Sequence, residues 1–274
     1  MFSALLLAFP NIDPVIFQIG PIALRWYSFA YMLGVIGGWW YLGVLDRRTT
    51  SFFTTEQRDD VILWAIAGII LGGRLGYVLF YNLDYFLHNP AKILQVWQGG
   101  MSFHGGTLGV MLAFWLFAKK HRLRWVPLMD RLACVTPIGL FFGRISNFIN
   151  GELYGRTTDA YLGMVFPTGG ELPRHPSQLY EAMLEGLVLG ILLWFVAIKR
   201  NALGFSGRCS GIFLSGYGLA RFIIEYFREP DAHIGLVLGH LSMGQLLCIP
   251  MMLLGGWLIL TSPKREILPE VAHD

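Results

Sequence analysis

Charge is what this chain has least of. Asp, Glu, Lys and Arg make up 14% of its 274 residues, against about 25% in soluble domains, while 54% are hydrophobic and the mean hydropathy is +0.52. That deficit excludes an ordinary water-soluble globule and predicts an all-α polytopic membrane protein, a single integral membrane domain over 1–274 with the lipid bilayer as its solvent. Cysteine is also sparse. Cys134, Cys209 and Cys248 are far apart, which excludes a disulfide framework or a zinc site and leaves them as small apolar fillers. No P-loop, HExxH, GxSxG or aspartate-rich metal motif occurs, so nothing points to a nucleotide, a metal or any other cofactor. The net charge of +3 comes from basic residues between hydrophobic runs, which argues against a nucleic-acid partner. Low-complexity segments and fixed-period repeats are absent. The N-terminal MFSALLLAFPNIDP lacks a positive n-region and reads as a short interfacial segment rather than a signal peptide.

What is there is a series of seven apolar stretches, each long enough to cross a bilayer: Ile22–Leu45, Val61–Tyr81, Met101–Ala118, Leu128–Phe148, Ser177–Ile198, Gly211–Phe227 and Leu241–Leu260. One set of connections, with the tail, carries twelve Lys and Arg; the opposite set carries four, Lys92, Arg156, Arg174 and Arg228. Positive residues favour the cytoplasm, so the N-terminus is expected outside and the C-terminus inside. Residues 150–176 form a long outward connection rich in Gly, Thr and Pro, expected as a small periplasmic cap.

Five arginines fall within or at the ends of spans: Arg25, Arg74, Arg131, Arg144 and Arg221. Arg131 alone lies at the inner end, where Asp130 and bulk water would neutralise it. The others converge on the outer leaflet, where independent snorkelling predicts no such bias. The stretch Gly143–Arg156, GRISNFINGELYGR, concentrates Arg144, Asn147, Asn150 and Glu152 where a helix should end. Arg144 and Arg221 carry forks matched to phosphate oxygens. Glu225, four residues after Arg221, either forms a structural bridge or aims that guanidinium at substrate. In GGMSFHGG, Gly99–Gly106, four glycines suggest an unwound entry to the third span, and His104 within it is a structural residue or a general base. Tyr27 is an interfacial anchor or a donor to a substrate oxygen. Gly72 and Gly76 form a small-xxx-small helix contact. Glu181 and Glu185 need partners in an apolar helix, Arg74 being one candidate. A lipid-binding transporter fits the arginine pocket too, although no inverted repeat is visible.

GRISNFINGELYGR resembles the signature of the prolipoprotein diacylglyceryl transferase family. The resemblance extends in order through IGPIALRWYSFAYMLG (Ile19–Gly34), MSFHGG (Met101–Gly106), HPSQLYE (His175–Glu181) and GYGLARFIIEYFREPD (Gly216–Asp231). It implies a seven-span enzyme of the bacterial inner membrane, its active site toward the periplasmic leaflet. Such an enzyme takes the diacylglyceryl group of phosphatidylglycerol and moves it to the lipobox cysteine of a prolipoprotein signal peptide, forming a thioether and releasing glycerol 1-phosphate. By the same resemblance, Tyr27, His104, Arg144, Asn147, Glu152, Gly155, Arg221 and Glu225 are functionally important.

Overall fold

The computed structural model describes residues 7–10, 12–20, 22–229, 236–237 and 241–265, and the chain divides into two compact units. One comprises Met1–Thr50 and Met129–Asp274; the other is Ser51–Leu128. Part of the N-terminal interfacial segment, and Pro230 and Asp231 of the last motif, lie outside the described residues.

The first unit opens with an antiparallel hairpin, β1 (Val15–Ile19) and β2 (Ile22–Arg25), that runs into helix α1 (Trp26–Arg48). The expected start of the first span at Ile22 is therefore corrected: four residues go to the strand, and helix begins at Trp26. Further along the chain come α5 (Trp125–Ile149), whose first four residues belong to the second unit, α6 (Ser177–Lys199), α7 (Arg208–Ile224) and α8 (Met243–Thr261). The second unit holds α2 (Thr55–Tyr81), the short α3 (Leu83–His88) and α4 (Phe103–Lys120). Each of the seven apolar stretches thus lies largely in a helix. Five of these helices, α1, α2, α5, α6 and α8, are long and apolar enough to cross a membrane. Their outward faces are apolar: Leu71, Leu79 and Phe80 on α2 and Leu253, Trp257 and Leu260 on α8 are all exposed, the reverse of packing for water.

Glycine sets the geometry of the second unit. Gly68, Gly72 and Gly76 recur every four residues on α2 and meet Gly105 and Gly109 of α4. A Cβ on Gly76 would fall 2.6 Å from the Gly105 Cα, and one on Gly105 would strike the Gly72 carbonyl oxygen. This is backbone-to-backbone helix packing, which only small residues allow. It corrects the expected unwound entry: Gly99 and Gly100 are outside helix with φ of 83° and 75°, but Gly105 and Gly106 are helical, and Ser102 caps the helix by accepting from the Gly105 N–H at 3.1 Å. Gly105→Leu is expected to lower stability by about 3 kcal/mol or more, the upper end of overpacking, because its neighbours are backbone and cannot swing aside. Thermal unfolding in detergent measures this; a wild-type midpoint would show that the helices do not need the close approach.

In the first unit, Tyr41, Leu45, Cys134, Leu189, Leu193, Leu203 and Cys209 form a buried core. At its edge, Asp130 is fully buried and accepts from the Gly207 and Ser210 amides, the latter at 2.7 Å. Gly207, the N-cap of α7, has no side chain with which to cap, so α5 supplies the acceptor. Arg131, also buried, donates to the Thr50 carbonyl at 2.7 Å and lies 3.9 Å from Asp46. Burial corrects the expected role of bulk water at Arg131, whereas the charge of Asp130, also expected, does act on it together with that of Asp46. Arg74 is spent differently again. Its guanidinium donates to the carbonyls of Ile93, Gly99 and Lys92 at 2.8, 2.6 and 2.6 Å, pinning the 92–100 segment within the second unit.

Candidate functional site

The candidate site lies in the first unit, where three helices bring charge together. Arg144 comes from the last turns of α5, Glu181 and Glu185 from the first turns of α6, and Arg221 from the end of α7, followed by Glu225 and Arg228. Close approach of α6 to α5 is possible because Gly186 faces Phe141: a Cβ there would fall 2.8 Å from the Phe141 Cα. Immediately after Glu181, α6 widens into a π-helix over Ala182–Val188, a rare geometry often found at functional sites.

Glu181 is the hub. Its Oε2 lies 2.7 Å from Arg144 Nε, and its Oε1 lies 3.0 Å from Arg221 Nη1 and also pairs with Arg228 Nη1. Glu225 Oε1 binds Arg221 Nη2 at 2.6 Å and Arg228 Nε at 3.4 Å. Glu185 stands 3.9 Å from both Arg144 and Arg221. Three guanidiniums therefore meet three carboxylates. The partition of exposure shows which face outward: the arginine side chains keep 16–20% of their surface, whereas Glu181 and Glu185 keep none. The carboxylates form a floor that fixes the forks, an arrangement whose arginine side can receive an anion. The partners of Glu181 and Glu185 are these arginines, which corrects the suggested pairing with Arg74.

The rest of the Gly143–Arg156 stretch builds a second layer. Asn147 donates to Glu152 Oε1 at 2.9 Å and Asn150 to the same oxygen at 3.3 Å. The chain then reverses through left-handed conformations at Gly151 and Leu153, while Gln178 holds the Glu152 carbonyl at 2.6 Å. Gly155 is pinched between two segments. Its N–H donates to the His175 carbonyl at 2.8 Å, and the next amide, Arg156, donates to the Phe227 carbonyl at 2.9 Å. A Cβ on Gly155 would strike that Phe227 oxygen and come within 2.9 Å of the His175 Cβ. Gly155→Ala is expected to push the 225–228 turn away from the site and cut anion binding about tenfold, a loss of one charge-assisted contact, with less effect on melting. Titration with a soluble glycerol phosphate, alongside a melting curve, measures both; unchanged affinity would show that the turn is not held by this contact.

His175 packs edge-on against Phe227, its Nδ1 3.2 Å from the Tyr180 hydroxyl, and burial pushes its imidazole pKa down. Tyr27, in the first turn of α1, accepts from the Tyr31 hydroxyl at 3.3 Å and stands near enough to feel the charges of Arg144 and Glu152. His104 belongs to the other unit. It is exposed in the first turn of α4, with its ring edge-on to Phe103.

Sequence reasoning proposed Tyr27, His104, Arg144, Asn147, Asn150, Glu152, Gly155, Arg221 and Glu225 as site residues, and all of these but His104 lie in the first unit. It left Glu181 and Glu185 without a role and counted Arg228 as a loop charge. The spacing 221, 225, 228 is i, i+4, i+7 and would have put Arg228 on the same helical face. Drawing the span to end at Phe227 hid it.

A family model described as prolipoprotein diacylglyceryl transferase matches residues 14–261. The chain is similar to proteins named phosphatidylglycerol--prolipoprotein diacylglyceryl transferase. With that of Rickettsia rickettsii (strain Sheila Smith) it shares 52% identity over 259 residues, covering 94% of this chain and 100% of the relative. With that of Rhizobium meliloti (strain 1021) it shares 53% over 262 residues, covering 93% of each. With that of Rickettsia bellii (strain OSU 85-389) the identity is 49% over 261 residues, covering 95% of this chain and 99% of the relative.

Proposed function

This chain belongs to the prolipoprotein diacylglyceryl transferase family, and from that premise we propose that it transfers the diacylglyceryl group of phosphatidylglycerol to prolipoproteins, the first step of lipoprotein maturation. The observation that carries the mechanism is the three-arginine face over its carboxylate floor. The acceptor is the lipobox cysteine of the signal peptide. Its thiol, with a pKa of about 8.5, must lose a proton to attack. The sulfur then bonds to the glycerol carbon that bears the phosphate, the C–O bond breaks, and glycerol 1-phosphate leaves with the bonding pair. A singly charged phosphodiester thereby becomes a more highly charged monoester. Charge grows on the phosphate as the bond breaks, and Arg144 and Arg221, with Arg228 beside them, stabilise that growth more than the ground state.

The thiol proton goes to His104, to Glu152 or to Glu225. Glu225 is the poorest of these bases, because arginines occupy one oxygen and the Ser242 hydroxyl the other. Asn147 and Asn150 keep Glu152 in place, and Tyr27 donates its hydroxyl to a substrate oxygen. The protein sits in the bacterial inner membrane as one domain of about seven spans, its N-terminus periplasmic and its C-terminus cytoplasmic. Residues 150–176 cap the site on the periplasmic side. The basic inner loops and the outer-leaflet arginines support that placement.

Purified protein in detergent, given phosphatidylglycerol and a lipobox peptide, should yield a diacylglyceryl adduct and free glycerol phosphate by mass spectrometry. Both should vanish when the peptide cysteine is replaced by serine. Lipid bound without adduct would overturn the transferase reading in favour of a lipid carrier.

A further inference from the structure

The apolar stretch Leu241–Leu260 offered no candidate residue to sequence reasoning, yet its first turn touches the site. Ser242 is the N-cap of α8. It forms a reciprocal cap with Gln245: the Gln245 amide donates to Ser242 Oγ at 3.1 Å, and the Ser242 amide donates to Gln245 Oε1 at 3.0 Å. A serine hydroxyl has one proton to give, and here it goes to Glu225 Oε2 at 2.7 Å. Ser242, Gln245 and Glu225 are all buried. Gly244 completes the seat: a Cβ there would fall 2.7 Å from the Glu225 carboxyl carbon and 2.8 Å from its Oε1. The Glu225 carboxylate therefore rests against the first turn of α8, where unpaired amides favour a negative charge. Its other oxygen is the one that grips Arg221 and Arg228.

We propose that Ser242 and Gly244 are positioning residues for phosphoryl recognition: they lock Glu225 in place, so that Arg221 and Arg228 are aimed at the phosphate before it arrives. The inference rests on the transferase reading above. Its logic is that a guanidinium stabilises growing charge only if it need not reorient during the reaction. An arginine held by a carboxylate that can itself swing is held by nothing. Ser242 fixes Oε2, Gly244 leaves just enough room for the carboxyl group, and Oε1 is left to the two arginines.

Two roles of Ser242 can be separated, because aspartate caps a helix as well as serine does but cannot donate a proton to a carboxylate. Turnover and melting would be measured for Ser242→Thr, Ser242→Asp and Gly244→Ala in the adduct assay. Threonine keeps the hydroxyl and should retain kcat to within about threefold. Aspartate should keep the cap but lower kcat by about tenfold or more, the loss of one hydrogen bond to a charged group. Gly244→Ala should improve helix propensity while lowering kcat by about tenfold, because the new methyl displaces the Glu225 carboxyl group. If Ser242→Asp folds and turns over like Ser242→Thr, Ser242 is only a helix cap and the proposal fails. If Ser242→Asp does not fold, Gly244→Ala decides, and wild-type kcat in that variant overturns the proposal. Absence of adduct from the unmodified protein would instead overturn the transferase reading itself.

Discussion

Glu181→Gln is expected to lose both stability and activity, although it changes one atom in a side chain with no exposed surface. The glutamine carbonyl can still accept one guanidinium N–H. What it removes is the negative charge that Arg144, Arg221 and Arg228 share. Breaking a buried pair by neutralising one partner costs roughly 3–5 kcal/mol, since the remaining charge is left uncompensated. The arginine heads are partly exposed, so solvent relieves some of that repulsion and the lower end of the range is expected. Relief comes by the forks swinging apart, and turnover should fall with it. Thermal unfolding in detergent and adduct formation would be read on the same preparation. A variant that melts and turns over like the wild type would show that Glu181 is not the hub of the cluster.

Arg144→Lys should separate folding from chemistry. An ammonium can still pair with Glu181, so the helices α5 and α6 stay together and melting changes little. The fork is lost. Lysine offers a point charge where arginine offers a planar fork, its Nε 2.7 Å from Glu181 and its Nη2 3.9 Å from Glu185. Removing one preorganised donor from a site of developing charge typically costs roughly 100–1,000-fold in kcat, and a loss of that order is expected here. Full turnover in a folded Arg144→Lys protein would count against the clamp. Loss of lipid binding in parallel with turnover would mean that Arg144 acts already in the ground state.

How much of this was legible beforehand varies by residue. Composition and the apolar runs located the helices, because a chain that spends little charge must bury its backbone in its own hydrogen bonds. Arg144, Asn147, Glu152 and Arg221 stood out because polar groups in apolar stretches are costly and need a reason. The start of the first helix was misjudged at Ile22, where β-branched and apolar residues suit a strand as well as a span. The GGMSFHGG glycines were read as an unwound entry to the third span. Two of them, Gly105 and Gly106, are helical, and Gly105 serves close packing, which no local property distinguishes.

By itself the sequence determined the membrane class, the helical stretches and the family, because these follow from local composition and from a long, specific motif. Only the tertiary structure decided who pairs with whom. Glu181 could have met Arg74 by any rule of spacing; it meets Arg144, Arg221 and Arg228 because Gly186 lets α6 lie against α5. Ser242 was one serine before an apolar run until α8 brought its hydroxyl 2.7 Å from Glu225. Pairing across helices depends on side-chain size at distant contacts, and periodicity along one segment carries no record of it.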